Sequence, residues 1–130
     1  MAGYAGGAVR PPDAMVILHL TEPGLWQDAQ RAGSYTWSTR GAGLDEVGFI
    51  HCSFLHQLEA VANRVYADWD GPLMLLELDP QQIPAEIRVE NLDGGTEDFP
   101  HIYGPLPIAA VKAVHELRRE LGGWKVPPGL

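Results

Sequence analysis

The chain has 130 residues, 45% hydrophobic and 20% charged, enough apolar material for one core and too much for a disordered or low-complexity polymer. Nine Lys and Arg against seventeen Asp and Glu leave a formal charge of -8, a field that repels phosphate backbones and argues against a nucleic-acid partner. The single cysteine excludes an internal disulfide, and no apolar run reaches the roughly 20 residues of a membrane helix.

Residues 1–14, rich in Ala, Gly and Pro, read as a flexible lead without the basic and apolar regions of a signal peptide, so a cytoplasmic address with no membrane partner is expected. Met15 to Leu20 is a short apolar run of strand length. Thr21 is placed to cap a helix whose first turn holds Glu22 and Pro23 and which stops at Gly33. Tyr35 and Trp37 alternate in an extended segment, followed by a loop over TRGAGLDE and a second strand over Val47 to Ile50. Ser53 is placed as the N-cap of the clearest helix, with Leu55, Leu58, Ala62, Val65 and Tyr66 on one stripe.

Leu73 to Leu78 (LMLLEL) reads as a strand buried on both faces, and Ile87 to Glu90 as another short strand. The two prolines and the glycine of HIYGPLP forbid regular structure across it and hold a fixed turn. Over 109–119 a helix and a strand compete, and the alternation of Ala113, His115 and Leu117 favours a closing strand. Strands and helices do not alternate regularly, so the fold class is α+β, with one domain over 15–121 and a tail over 122–130. The basic scatter of Lys112, Arg118, Arg119 and Lys125, broken by Glu116 and Glu120, reads as a solvated face.

Three segments carry polar chemistry. His19 and Thr21 share one strand face and point at the same place, either a ligand or a satisfied backbone group. In GFIHCS, His51 and Ser53 share a face, opposite Cys52; a helix starting at Ser53 would offer free N–H groups to an anion. His101 and Tyr103 stand two apart in the rigid FPHIYGPL segment. Trp26, Tyr35 and Trp37 are available as aromatic walls, and neutral donors beside aromatic rings suit a nucleoside- or nicotinamide-like small molecule. No Cys/His spacing among His19, His51, His56 and His101 suggests a metal.

ILHLT, GFIHCS with the following helix that carries Gln57 and Asn63, LLELD, and FPHIYGPL together resemble the bacterial family known as domain of unknown function 952, over nearly all of residues 15–119. That family is similar in fold to the ADP-ribosyltransferases, in particular the RNA 2'-phosphotransferases that use NAD. The resemblance implies an ADP-ribosyltransferase-like split antiparallel β-sandwich with two main helices and a central cleft that takes NAD. It implies that His19 holds a ribose hydroxyl and that the backbone of Leu20, where the motif has glycine, grips the nicotinamide amide. His51-Cys52-Ser53 resembles the His-x-Ser motif that begins a helix in the phosphotransferases. His19 and His51 are thus the expected catalytic residues, and His19, Leu20, Thr21, His51, Ser53, His101 and Tyr103 the expected cofactor contacts. Glu116 is the nearest late acid to the glutamate with which many ADP-ribosyltransferases orient the attacking hydroxyl.

Three functions follow as expectations. The first is a protein that binds NAD or an ADP-ribose-type ligand, with ADP-ribosyl or 2'-phosphate transfer as its chemistry. The second is a nucleotide- or metabolite-binding module without the catalytic acid. The third is a thiol enzyme working through Cys52, disfavoured because strand neighbours point apart and His51 therefore does not activate the sulfur.

Overall fold

The structure, a computed structural model, describes residues 16–130; the expected lead over 1–14 lies outside the described residues. In chain order the elements are β1 (Ile17–Thr21), α1 (Pro23–Ala32), β2 (Ser34–Tyr35), β3 (Trp37–Thr39), β4 (Ala42–Gly43), α2 (Leu44–Val47) and β5 (Ile50–His51). A 3-10 turn over Leu55–Gln57 leads into α3 (Leu58–Val65), followed by β6 (Met74–Leu78), β7 (Ile87–Glu90), β8 (Phe99–Ile102), β9 (Leu106–Pro107), β10 (Val111–Glu116), β11 (Arg118–Glu120) and β12 (Gly123–Lys125). The architecture is α+β, with many short antiparallel strands and few helices. No helix among the described residues is long and apolar enough to cross a membrane.

Two three-stranded sheets form the frame, ordered β1-β6-β10 and β5-β8-β7. LMLLEL becomes the central strand of the first, and Leu75, Leu76 and Leu78 have no exposed surface. Alternation along the strands sends Ile17, Leu76 and Leu78 into a core with Trp26, Tyr35, Ile50 and Ile102. Leu18, Leu20 and Leu75 go to the other face, against Leu58, Val61, Ala62 and Tyr66. The alternation over 109–119 is realised as β10.

Several local expectations are corrected. Thr21 ends β1 and Glu22 is the N-cap of α1, because the Thr21 hydroxyl is occupied in the core. The TRGAGLDE loop contains the β3–β4 hairpin and α2, which ends at Gly48 in the left-handed region (φ 95°). That leaves only Ile50 and His51 as strand.

The expected tail from 122 folds back as β12, paired with β11. Trp124 is buried; its backbone N–H donates to Asn63 Oδ1 (2.7 Å), its carbonyl accepts from Asn63 Nδ2 (3.1 Å), and its indole N–H donates to the Tyr66 carbonyl (2.8 Å). The Asn63 side chain thus acts as one more peptide group for the hairpin. It fits because residue 123 is glycine, with φ 108° and no Cβ to strike Asn63 Oδ1.

Gly123→Ala is therefore expected to destabilise the fold by about 2 kcal/mol in urea unfolding, through both the positive φ and the collision with Asn63. A loss no larger than that of an exposed surface substitution would show that the hairpin adds nothing to the core.

Candidate functional site

The three histidine-bearing segments meet. β5 pairs with β8 so that His51 lies opposite His101, and Leu18 and Ser53 exchange backbone hydrogen bonds (2.9 and 2.8 Å) that bring β1 against the end of β5. His19, 2% exposed, adds a third link, because Nδ1–H donates to the His51 carbonyl (2.7 Å). A carbonyl only accepts, so the proton is on Nδ1 and Nε2 is an acceptor. Nε2 takes the Tyr35 hydroxyl proton (2.8 Å), which leaves the Thr21 hydroxyl, 2.7 Å from the Tyr35 oxygen, to donate there.

Burial holds the His19 pKa at about 4, against the pull of the His51 carbonyl, and raises that of Tyr35. Both ring nitrogens of His19 and the Thr21 hydroxyl are thus committed inside the protein, and neither side chain offers a ligand the free group expected from the sequence.

A narrow cleft with about 20 Å³ of free volume opens beside them. Leu18, His19 and Leu20 form one wall, Ser38 and Thr39 of β3 a second, His51 and Ser53 a third, and Val61, Val65 and Tyr66 a fourth. Its polar side chains are uncharged. Ser38 Oγ is buried without a hydrogen-bond partner among the described residues. The His51 ring is held neutral, its pKa brought down to about 4 by burial first and then by His101 and Arg64, with Asp93 opposing.

Leu20 contributes its peptide. Leu18 turns its N–H and C=O away from β6 to bond Ser53, and strand parity points those of Leu20 along the same free edge. Burial raises the Tyr66 hydroxyl to about 12, which keeps that wall uncharged as well.

The amides of residues 52–54, where the sequence places the start of the helix, are all partnered and offer an anion nothing. Cys52 N–H donates to the Pro100 carbonyl (2.9 Å), Ser53 N–H to Leu18 (2.8 Å) and Phe54 N–H to Gln57 Oε1 (3.0 Å). Ser53 is accordingly not the N-cap; Phe54 is, one residue before the 3-10 turn. Cys52 is buried and its thiol pKa is raised by burial, so it is a packing residue without nucleophilic character.

His101 and Tyr103 lie next to the cleft and not in its walls. The His101 ring is 5.4 Å from that of His51 and meets Phe49 edge-on at 4.7 Å. Its Nδ1 stands 3.5 Å from Glu90, which also accepts the Tyr103 hydroxyl, while Arg88 covers the Tyr103 ring at 4.6 Å. Burial lowers the His101 pKa, and Glu90 pulls it the other way. Trp26 is buried in the core and Trp37 packs against it, so Tyr66 is the aromatic wall. Glu116 faces a separate groove with Trp124, and no carboxylate among the described residues lines the cleft.

Sequence reading missed Ser38, Thr39, Val61, Val65 and Tyr66. The helix stripe marks the last two as a core face, and nothing local marks Ser38.

A family model described as protein of unknown function (DUF952) matches residues 20–114. The chain belongs to the DUF952 family. The match covers Leu20, Ser38, His51 and Ser53 and stops short of the β11–β12 hairpin. Among solved structures the chain is similar to the crystal structure of protein CC0527 from Caulobacter crescentus, with 26% identity, 84% of this chain and 91% of that chain covered, and a TM-score of 0.68. A double-mutant crystal structure of CC0527 gives 26% identity, the same coverage and a TM-score of 0.67. Its solution structure gives 24%, coverage of 84% and 90%, and 0.61, a likeness of fold. No curated protein matches the chain.

For this DUF952 chain, Tyr35→Phe strands His19 Nε2 and is expected to lower the unfolding free energy by about 1–3 kcal/mol in urea. An unchanged midpoint would mean that the buried relay is not made.

Acid gives a second measurement. His19 and His51 titrate near 4 when folded and near the ordinary 6.5 when unfolded, so between those values the unfolded chain binds more protons. Stability is therefore full above about pH 6.5 and falls as pH drops towards 4. His51→Gln removes one of the two groups and should make the fall shallower; imidazole NMR signals of His19 and His51 that titrate near 6.5 would contradict this.

Proposed function

We propose that the chain binds NAD or an ADP-ribose-type ligand, with the carboxamide-and-ribose end in the cleft between β1, β3, β5 and α3. The observation that carries this reading is the buried, unpartnered Ser38 hydroxyl, since a buried hydroxyl without a partner is costly unless a ligand completes it. Around it stand donors and acceptors of the kind a carboxamide and a diol need: the edge peptide of Leu20, the neutral His51 ring and the Ser53 side chain. The cleft is narrow, with about 20 Å³ of free volume and room for about one water, so its walls must part to take a ring and a sugar.

In this reading the sheets β1-β6-β10 and β5-β8-β7 are the halves of an ADP-ribosyltransferase-like split sandwich. His51 is the side chain placed to touch the ligand, and His19 is a positioning residue that fixes the His51 backbone. His101 and Tyr103 support β5 from behind. The absence of a carboxylate among the cleft residues favours a binding module over a transferase, since no described side chain there activates an acceptor hydroxyl.

Thermal unfolding with NAD, ADP-ribose and nicotinamide tests the reading, because a ligand at one hundred times its dissociation constant stabilises the fold by about 2.7 kcal/mol. Stabilisation by at least one of them, lost in Ser38→Ala, is expected. No shift with any of the three would remove the proposal. Nicotinamide release from NAD would instead favour the transferase.

A further inference from the structure

The arginines of this acidic chain are nearly all engaged. Arg31 pairs with Asp28, Arg40 with Asp68, Arg88 with Glu86 and Arg118 with Glu120, while Arg119 donates to the carbonyls of Ala67 and Trp69. Arg64 is the one arginine among the described residues with no hydrogen bond, ion pair or ring partner. It stands on α3, whose neighbouring Val61 and Val65 line the cleft, and it is close enough to His51 to oppose protonation of that ring.

Arg64 also faces a second hollow of about 180 Å³, shared with Gly95, Thr96 and Phe99. The Phe99 ring, which lines this hollow, lies 5.3 Å from the ring of His51, which lines the cleft. Two carboxylates lie along it, and both have donors. Asp93 Oδ1 accepts the Gly95 N–H (2.8 Å), and Glu97 Oε1 accepts from Gln57 Nε2 (3.3 Å) and lies 3.8 Å from the His56 ring. The Arg64 guanidinium has no carboxylate of the described residues within ion-pair distance, although Asp93 and Glu97 share its hollow.

We infer that Arg64 is the contact for a diphosphate that crosses from the cleft, past His51, into the Thr96–Phe99 hollow. This rests on the proposed NAD or ADP-ribose reading and deepens it, because it assigns the ligand's second half to a place. The planar fork of the guanidinium suits phosphate oxygens, and the paired carboxylates accept from a diol. A ligand built this way has a carboxamide-and-ribose head, an anionic middle and a second neutral sugar.

Calorimetry on the whole chain tests this with nicotinamide, ADP-ribose and inorganic pyrophosphate, at low and high salt, for the native protein, Arg64→Gln and Arg64→Lys. Arg64 is exposed, so both variants are expected to melt with the native protein. Arg64→Gln should weaken ADP-ribose and pyrophosphate about tenfold, the size of one charged hydrogen bond, leave nicotinamide unchanged and reduce the salt dependence. Arg64→Lys should retain part of the affinity.

Equal affinity of Arg64→Gln and the native protein for ADP-ribose would overturn the inference. So would binding of nicotinamide with no binding of either anion, although the proposed cleft ligand would then stand. Arg64-dependent binding of pyrophosphate without nicotinamide or ADP-ribose would keep the anion contact and remove the reading of the cleft. Binding of none of the three would end both.

Discussion

The pair of backbone hydrogen bonds between Leu18 and Ser53 is the constraint from which the site follows. β1 is an edge strand of one sheet, and the chain after β5 is the end of another. One reciprocal contact joins the two edges and then stops, because the segment turns away into the 3-10 turn at Leu55. Beyond it the free edge of β1 continues for one more outward-facing peptide, that of Leu20. The cleft opens where the seam ends. The His19 contact to the His51 carbonyl doubles the seam with a side chain and fixes which way β5 faces.

Neutrality of the site has a physical origin in the same seam. Pulling β5 against β1 buries His19 fully and His51 largely, and desolvation of the charged form is the leading cause of both lowered pKa values. The chain carries -8 overall, yet Ser, Thr, Tyr and uncharged His line the cleft. Charge is kept to the rim and the neighbouring hollow. Arg40, packed over the Tyr66 and Trp69 rings at 5.5 and 5.4 Å, holds the outer side of Tyr66, and Arg64 stands on the side of His51.

Sequence periodicity revealed what depends on local alternation. LMLLEL reads as a doubly buried strand because both faces are apolar, and it is one. In GFIHCS the period of two places His51 and Ser53 on the cleft side and Cys52 in the core, as found. Other readings failed where a partner lies far along the chain. Ser53 has the chemistry of an N-cap, but its backbone is claimed by Leu18; Thr21 has the same chemistry, but its hydroxyl is claimed by Tyr35. Trp124 reads as part of a tail because its partners, Asn63 and Tyr66, are some sixty residues away. Ser38 is invisible for a different reason, since its distinction is a hydroxyl without a partner among the described residues.

The leucine at position 20, where the resembling motif has glycine, bears on whether a ligand can use the free edge of β1. In a strand the side chain stands perpendicular to the sheet, whereas the N–H and C=O lie in its plane. Leu20 sends its side chain into the core beside Leu58, Val61 and Leu75, where it is almost fully buried. Its peptide points in the orthogonal direction, towards Ser38 and Thr39. The extra bulk therefore fills the floor under the cleft and leaves the edge open. It also anchors α3 to β1, so the wall formed by Val61 and Val65 is held at a distance set by the leucine. On this geometry glycine would loosen the cleft it is meant to clear, and the substitution is compatible with a ligand gripped by backbone at this position.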